Sequence, residues 1–505
     1  MASMSWSRFL LIGLLAIAAP AVGVAADAPL SQHDLMLLNR LTWGVTPADT
    51  AEMQKLGAKR WLDRQLHPSA KAALPGPVQA EIDALPVSQR SLPELTAQAD
   101  TLRETYKQAT DPVQKEASGK VYKLYMADRY DDALAKSLLR AVYSPDQLQE
   151  QMTWFWTNHF NVFARARDIR PMLADYEDAA IRPHALGRFR DLLEATLRHP
   201  AMLRYLDNDQ NAAGKINENY AREIMELHTM GVGSGYTQKD VQELARILTG
   251  VGVETQPREP QLKPELQALY IRQGDFVFNP KRHDFGDKVF LGHAIKGSGF
   301  GEALQALDIL SRQPATAHHV SEKLAAFFIG DAPTPALVDR MAQTFQRTDG
   351  DIAQVLRTLF DSREFDASLG SGFKDPAHYV ISAVRIAYGD RIITDPLKID
   401  RWMGQLSEGL YAHETPDGYP LEAAAWNGPG QMAARFDVAR DIAGGAPTLF
   451  RQAAGPVPHP EIEARLQKAS LDGGLGAPTK AALGQASSPI EWNALFLSSP
   501  EFMRR

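Results

Sequence analysis

The chain has 505 residues, enough for two or more hydrophobic cores, because single cores stop growing at roughly 250–300 residues. Hydrophobic residues make up 44% and charged residues 23%, which argues against a chain that is disordered throughout. The formal net charge is -7 and no long Lys/Arg run occurs, so we expect no nucleic-acid binding. Cysteine is absent, which excludes disulfides, thiolate nucleophiles and Cys-ligated zinc.

The first 26 residues have the order of a secretory signal peptide. Arg8 precedes an apolar run at 9–19, and Val24, Ala25 and Ala26 supply the small residues of a cleavage site. The run is shorter than the ~20 residues of a membrane span, and no later segment is long and apolar enough. We therefore expect a periplasmic or secreted protein with no transmembrane span after signal removal. An uncleaved N-terminal anchor is the alternative.

The mature chain opens with two predicted helices, because Ser31 is a capping residue with an acid three positions on and Thr46 with Pro47 caps the second. Residues 69–92 contain several prolines and predict a linker. Helices are predicted at about 93–109 and 112–142, and the next begins near Ser144 and carries His159 on its apolar face.

The second half predicts one β-hairpin in a helical chain. Residues 251–275 predict a long loop, and two short β-prone runs near 276–291 bracket a polar turn. Helices return from 301, residues 405–430 predict irregular structure, and residues 471–488 predict a mobile segment. The expected fold is mainly α, a multi-helix, bundle-like architecture with a small β-hairpin insertion. It forms one domain over 27–505, or two subdomains that meet near 251–300.

The segment 217–240 has the strongest polar pattern. It predicts a helix over 217–229, a glycine turn and a second helix capped by Thr237. Asn219, Glu223 and Glu226 fall at i, i+4 and i+7, within ~40° of one another on the helix. Such a face can hold a divalent metal ion, or divide acid and base work between its carboxylates. Alternatively, Arg222 pairs with Glu226 and the face has no chemical role.

Other candidates stand outside this helix. His159 lies on an apolar stripe, where it is either a hydrogen-bonded core residue or a ligand or base, with Asn158 beside it. His283 and Asp284 lie in the predicted hairpin turn. His319 and Lys323 are interpreted as structural. The chain has no Gly-x-Ser-x-Gly, His-Glu-x-x-His, Walker or dinucleotide motif, which weighs against the commonest hydrolase, metalloprotease and nucleotide-dependent classes.

Several motifs in order resemble an uncharacterised bacterial family, domain of unknown function 1800. The core of the resemblance is the helix motif 217–229, preceded by Leu206, Asp207 and Asn208. Further matching stretches are 38–44, 156–160, 235–237, 283–292 and 497–502. The resemblance covers nearly the whole mature chain. It implies a mostly helical, exported protein, and it implies no particular reaction.

We hypothesise that the polar motif residues converge on one cleft. The predicted catalytic residues are His159, Glu223, Glu226, His283 and Asp284. The predicted substrate contacts are Asn158, Asn219, Tyr220 and Arg222. This set suits a divalent metal ion, or acid–base hydrolysis of a periplasmic or extracellular polymer. The alternative is a non-catalytic export or cell-envelope assembly factor with an envelope or secreted protein partner.

Overall fold

A computed structural model describes residues 29–69, 73–330, 333–450 and 457–505, and the predicted signal peptide lies outside the described residues. The described chain is mainly α-helical, as expected. The helices of its first half are α1 (Gln32–Leu41), α2 (Pro47–Leu56), α3 (Ala58–Leu66), α4 (Gly76–Asp83), α5 (Pro86–Gln89), α6 (Leu92–Gln108), α7 (Pro112–Tyr143), α8 (Gln147–His159), α9 (Leu173–Asp175), α10 (Phe189–Arg198), α11 (Pro200–Tyr205), α12 (Asn219–Glu226) and α13 (Gln238–Ile247).

The second half continues with helices after the small sheets. They are α14 (Pro264–Gln267), α15 (Gly301–Ser311), α16 (Pro314–Ile329), α17 (Pro335–Arg347), α18 (Ile352–Phe360), α19 (Arg363–Ser368), α20 (Pro376–Tyr388), α21 (Leu397–Gln405), α22 (Pro429–Ala443), α23 (Ile462–Lys468), α24 (Ala477–Leu483) and α25 (Pro489–Leu497). No helix in the described ranges is long and apolar enough to cross a membrane.

Local capping explains where several helices begin. Ser31 and Thr237 each form the predicted capping box with an aspartate three residues on, and Thr46 forms one with Asp49. The two long helices α6 and α7 match the predicted ranges within a residue or two. The described part of the predicted linker instead holds α4 and α5, and the segment predicted to be mobile holds α24. In both places proline stands in the first turn of a helix, where its missing N–H is not needed.

The β structure differs from the predicted hairpin. The strands are β1 (Val251–Val253), β2 (Ile271–Gln273), β3 (Phe276–Phe278), β4 (Lys288–Phe290) and β5 (His293–Ile295). The two predicted strands, β3 and β4, do not pair with each other. Strand β3 is the centre of an antiparallel sheet of order β1-β3-β2, and β4 pairs with β5. Leu291 and Gly292 both have positive φ, the geometry of a tight two-residue hairpin turn, so β4 turns back at once.

One contiguous apolar core runs through the described residues, from Leu37 to Met503. Its largest members include Trp43, Trp61, Trp156 and Trp402, all essentially buried. The division into subdomains near 251–300 stays a prediction. Around the candidate site, polar residues of α8 and α16 contact the end of α12, as described below.

Candidate functional site

Helix α12 is amphipathic and shorter than predicted. Its buried side contains Tyr220, Ala221, Ile224 and Met225, which turns the charged residues of the motif outward. The helix begins at Asn219 rather than 217, because Asn217 Oδ1 accepts a hydrogen bond from the Asn219 N–H at 3.0 Å. The predicted amide and carboxylate face is therefore present, on a helix of two turns.

The charged residues of α12 have different environments. Arg222 lies between Glu226 and Glu218, with nitrogen–oxygen distances of 3.2 Å to both carboxylates, so the predicted pair with Glu226 is confirmed. Glu223 is half-buried and forms no ion pair with a basic side chain of the described residues. Burial and then the charge of Glu226 raise the pKa of Glu223, and nearby Asp417 acts in the same direction.

Asp417 lines an open cavity of about 650 Å³. The volume lies within the range of roughly 300–1,000 Å³ that small-molecule sites occupy. One wall is α16 and the other is the segment 413–422. The lining residues with polar side chains are His319, Glu322, Lys323, His413, Asp417, Tyr419 and Glu422. The cavity is therefore polar and contains groups of both charge signs.

Two carboxylates near this cavity have opposite pKa shifts. Although burial acts to raise the pKa of Asp417, hydrogen bonds from Thr415 and His413 hold it below its usual range. Thr415 Oγ1 donates to Asp417 at 2.5 Å, and His413 Nε2 lies 3.3 Å from it. Glu223 thus keeps its proton to higher pH than Asp417 does, which is the separation that acid–base pairs require.

Lys323 is the cationic group of the cavity wall. Burial lowers its pKa to about 8, against the charges of Asp417 and Glu422, which act to raise it. The part of the chain that the structure describes provides no ion-pair partner for this lysine. A lysine with this pKa can bind an anionic group and can also exchange a proton near neutral pH.

Histidines from two other helices cap the carboxyl end of α12. His159, at the end of α8, donates from Nε2 to the His228 carbonyl at 3.0 Å. His319, on α16, donates to the Leu227 carbonyl at 3.2 Å. The last carbonyls of a helix have no partner within it, so these rings satisfy groups that would otherwise be orphaned. The contacts also fix α12 against the cavity wall.

The capping histidines and their neighbour His228 are held neutral. Burial and the charge of Lys323 lower the pKa of His319 to about 4 and that of His228 to about 3. Burial, and then the charge of Lys323, also place the pKa of His159 well below its usual value. Their arrangement favours structural donors over bases that work near neutral pH.

Asn158 positions the cavity segment rather than lining the cavity. Its amide donates to the Tyr419 carbonyl at 2.9 Å and accepts from the Tyr419 N–H at 2.7 Å. Beside it, Gly418 has φ +75°, and a Cβ there would come within 2.2 Å of the Asn158 carbonyl oxygen. Only glycine fits this approach, so α8 and the segment 413–422 are locked together.

Two of the predicted contact residues on α12 have local roles in the structure. Tyr220 is buried in the core, and burial raises the pKa of its hydroxyl well above the usual value. The Asn219 amide donates to the Leu206 carbonyl at 3.2 Å. Both residues hold α12 in place, and neither is among the residues that line the cavity.

His283 and Asp284 belong to a second cluster, around α13, α15 and β4. His283 Nδ1 donates to the Thr249 carbonyl at 2.8 Å, and Nε2 donates to Glu302 at 2.9 Å. Asp284 accepts two hydrogen bonds from Arg246, at 2.8 and 3.2 Å. Every one of these polar groups has a partner. The structure therefore gathers Asn158, His159, Glu223 and Glu226 around α12 but places the His-Asp pair elsewhere.

The described residues contain no group of three or more His, Asp or Glu side chains that could hold a metal ion. Around α12, Glu226 is paired with Arg222, and the histidine nitrogens that form hydrogen bonds face carbonyls. The residues present therefore do not fit the divalent ion that the helix face suggested.

Sequence reasoning noted His319 and Lys323 but interpreted them as structural, and the other residues of the cavity wall were not identified. His319 and Lys323 are four residues apart and so share one helix face, which is the signal that could have identified them. The composition of the 413–422 segment predicts only irregular structure, and nothing in its sequence indicates which helix it lies against.

The fold and the cavity define a mainly helical protein with an open polar cleft beside a short acidic helix. A family model described as protein of unknown function (DUF1800) matches residues 36–504, and the chain belongs to this family. The resemblance seen in the motifs is thereby confirmed. No curated protein and no solved structure matches the chain.

Proposed function

We propose that the protein is an exported hydrolase that uses acid–base catalysis on a polar polymer in the cavity beside α12. One observation carries the proposal. The half-buried Glu223 carboxylate forms no ion pair within the described residues, although the charge of Arg222 acts on it. It interacts electrostatically with Asp417, which lines an open cavity, while Glu223 itself is not among the lining residues. A carboxylate that only stabilised the fold would be paired, as Glu226 and Asp284 are.

The two carboxylates take complementary roles in this proposal. Glu223, with its raised pKa, donates a proton to the leaving group as the bond breaks. Asp417, with its lowered pKa, stays ionised and accepts a proton from the water whose hydroxyl adds to the substrate. Lys323 provides positive charge for an anionic part of the polymer or for charge that develops in the transition state.

Of the two kinds of hydrolase considered from the sequence, metal-dependent and acid–base, the side chains around α12 favour the acid–base kind. A metal-dependent hydrolase needs at least three protein ligands that converge, and the described residues offer no such group. Export is supported by the order of charge, apolar run and small residues in the first 26 residues. Intact mass of the protein from a periplasmic or culture fraction tests cleavage after Ala26.

Polymer hydrolysis by matched variants tests the proposal. The substrates are dye-labelled polysaccharides, peptidoglycan and casein, which separate the three polymer classes. Glu223→Gln and Asp417→Asn should each lower the rate of dye release at least about 100-fold, the usual contribution of a general acid or base. Glu218→Gln, a neutralised glutamate next to the same helix, should keep the parent rate, since Glu218 is already paired with Arg222.

The pH profile supplies a second readout. The rate should rise with pH as Asp417 ionises and fall as Glu223 loses its proton, and the falling limb should vanish in Glu223→Gln. Equal rates in parent and Glu223→Gln on every cleaved polymer would refute the assignment.

The rival proposal is a non-catalytic envelope assembly factor. It is supported by the fully paired cluster of His283 and Asp284, because paired groups of this kind suit a structural role for part of the motif set. No release from any of the three polymers by folded protein would favour this alternative. The search would then turn to envelope or secreted protein partners.

A further inference from the structure

A second cavity, of about 410 Å³, shares no lining residue with the first. It lies among α1, α20, α23 and α25 and the residues that follow α25. Most of its wall is apolar, formed by Leu35, Val45, Ile386, Leu466, Leu471, Leu475, Phe496 and Phe502. Its volume again falls within the range of roughly 300–1,000 Å³ typical of small-molecule sites.

The inner end of this cavity carries one amine and one hydroxyl. Lys374 and Ser382 are the most buried polar residues of its wall, at 3% and 2% exposure. Lys374 Nζ donates to Ser382 Oγ at 3.0 Å and lies 4.1 Å from the centre of the Phe502 ring. The other polar side chains of the wall are partly or fully exposed and mark the mouth: Gln32, Asn39, Glu501 and Arg504.

No carboxylate of the described residues forms an ion pair with Lys374. Burial, and then the charges of Arg505 and Arg435, lower its pKa to about 7, against Asp375, which acts to raise it. The two arginines are already engaged, since Arg435 donates to the Lys374 carbonyl at 2.7 Å and Arg505 to the Phe327 carbonyl at 2.6 Å. A buried ammonium without a counter-ion is costly, and an anion at this end of the cavity would offset that cost.

We propose that this cavity binds an aliphatic carboxylate, with the carboxylate against Lys374 and the chain along the apolar wall. The Ser382 hydroxyl already donates to the Tyr379 carbonyl at 3.0 Å, so the ammonium of Lys374 is the group that receives the carboxylate. A phosphate is usually held by forked arginines or several backbone N–H groups, and both nearby arginines are committed elsewhere. The proposal does not rest on the hydrolase assigned to the first cavity.

Calorimetric titration of the full mature chain with decanoate at pH 6 tests this site. Decanol has the same chain without the charge, and decyltrimethylammonium has the opposite charge. We expect decanoate to bind at least tenfold more tightly than either. Because the bound anion needs the ammonium, affinity for decanoate should fall about tenfold per pH unit above roughly pH 7. The neighbouring Arg435, Arg505 and Asp375 keep their charges over that range, so the change reports on Lys374.

Three variants make the test specific. Lys374→Met keeps the length of the side chain and removes its charge, and it should abolish the preference for decanoate over decanol. Lys480→Met makes the same exchange at an exposed lysine of α24 outside the cavity wall and should change nothing. Leu475→Trp fills the apolar part and should weaken decanoate at least tenfold while Lys374 stays intact.

The result that overturns the proposal is equally definite. Equal affinity of the parent for decanoate and decanol, or an undiminished preference in Lys374→Met, would show that the lysine recognises no carboxylate. An unchanged decanoate affinity in Leu475→Trp would show that the chain lies elsewhere. Circular dichroism and the thermal midpoint of each variant confirm that it is folded.

Discussion

The cluster around Glu302 offers the sharpest test of how the sheet region is stabilised. The Glu302 carboxylate is fully buried and accepts from Lys288 Nζ at 2.5 Å and His283 Nε2 at 2.9 Å. It also accepts from the N–H groups of Ser298 and Gly299, at 2.6 and 2.9 Å. Replacing Lys288 by methionine removes the only ammonium in the cluster and leaves one oxygen of the buried Glu302 carboxylate without its charged donor.

We expect Lys288→Met to lower the free energy of unfolding by about 3–5 kcal/mol, the usual cost of breaking a buried pair from one side. Lys296→Met is the matched control. Lys296 follows the neighbouring strand β5 and also pairs with an aspartate, Asp287, but it is 82% exposed, so its loss should have no measurable effect. Urea unfolding followed by tryptophan fluorescence compares the two midpoints at equal slope.

The effect should also depend on pH in a defined direction. Burial acts to raise the pKa of Glu302, but the hydrogen bonds from His283, Lys288 and the two backbone groups outweigh it and lower the pKa below 4.5. A carboxylate with a lowered pKa contributes stability above its unfolded pKa and loses it as pH falls through the folded pKa. The difference in the free energy of unfolding between the parent and Lys288→Met should therefore be largest near pH 7 and shrink below about pH 4.5. If Lys288→Met and Lys296→Met unfold at the same urea concentration at pH 7, the reasoning is refuted.

Two further substitutions test other parts of the structure. Gly44→Ala should lower the free energy of unfolding by about 1–3 kcal/mol or more, because φ is +112° and the new Cβ would lie 2.4 Å from Ser382 Cβ. The control Gly76→Ala, with open space around the new Cβ, should be neutral or slightly stabilising in the same urea assay. Glu223→Gln should unfold at the same or a higher temperature than the parent at pH 7. The raised pKa of Glu223 means that its charged carboxylate opposes folding above that pKa, so the difference in unfolding temperature should vanish near pH 4. A clear loss of stability in Glu223→Gln at pH 7 would indicate a hidden structural partner.

Helices with strong local signals could be predicted from the sequence. Capping boxes, proline in the first turn and regular apolar spacing depend on a few neighbouring residues, so α1, α6 and α7 appear where the pattern placed them. Strand pairing could not be predicted in the same way. Strands of three residues carry little pattern, and the partners of β3 came from the stretch interpreted as a loop.

The candidate site was predictable only in its helical half. The spacing of Glu223 and Glu226 follows from the helix itself, but their partners come from distant segments. Nothing local indicates that Asn158 holds the backbone of Tyr419, or that His283 donates to Glu302. Such long-range contacts depend on the packing of the whole core, and one sequence does not contain that information.

The histidines that cap α12 have one more consequence. Because burial keeps His159 and His319 uncharged, they act as neutral N–H donors to the helix carbonyls, and mild acid does not convert them to cations. A medium that drifts between pH 5 and 8 would change the charge on Lys323 across the cavity while the anchor of the helix stayed constant. The protein thus separates a group whose charge follows the pH of its surroundings from the contacts that hold α12 in place.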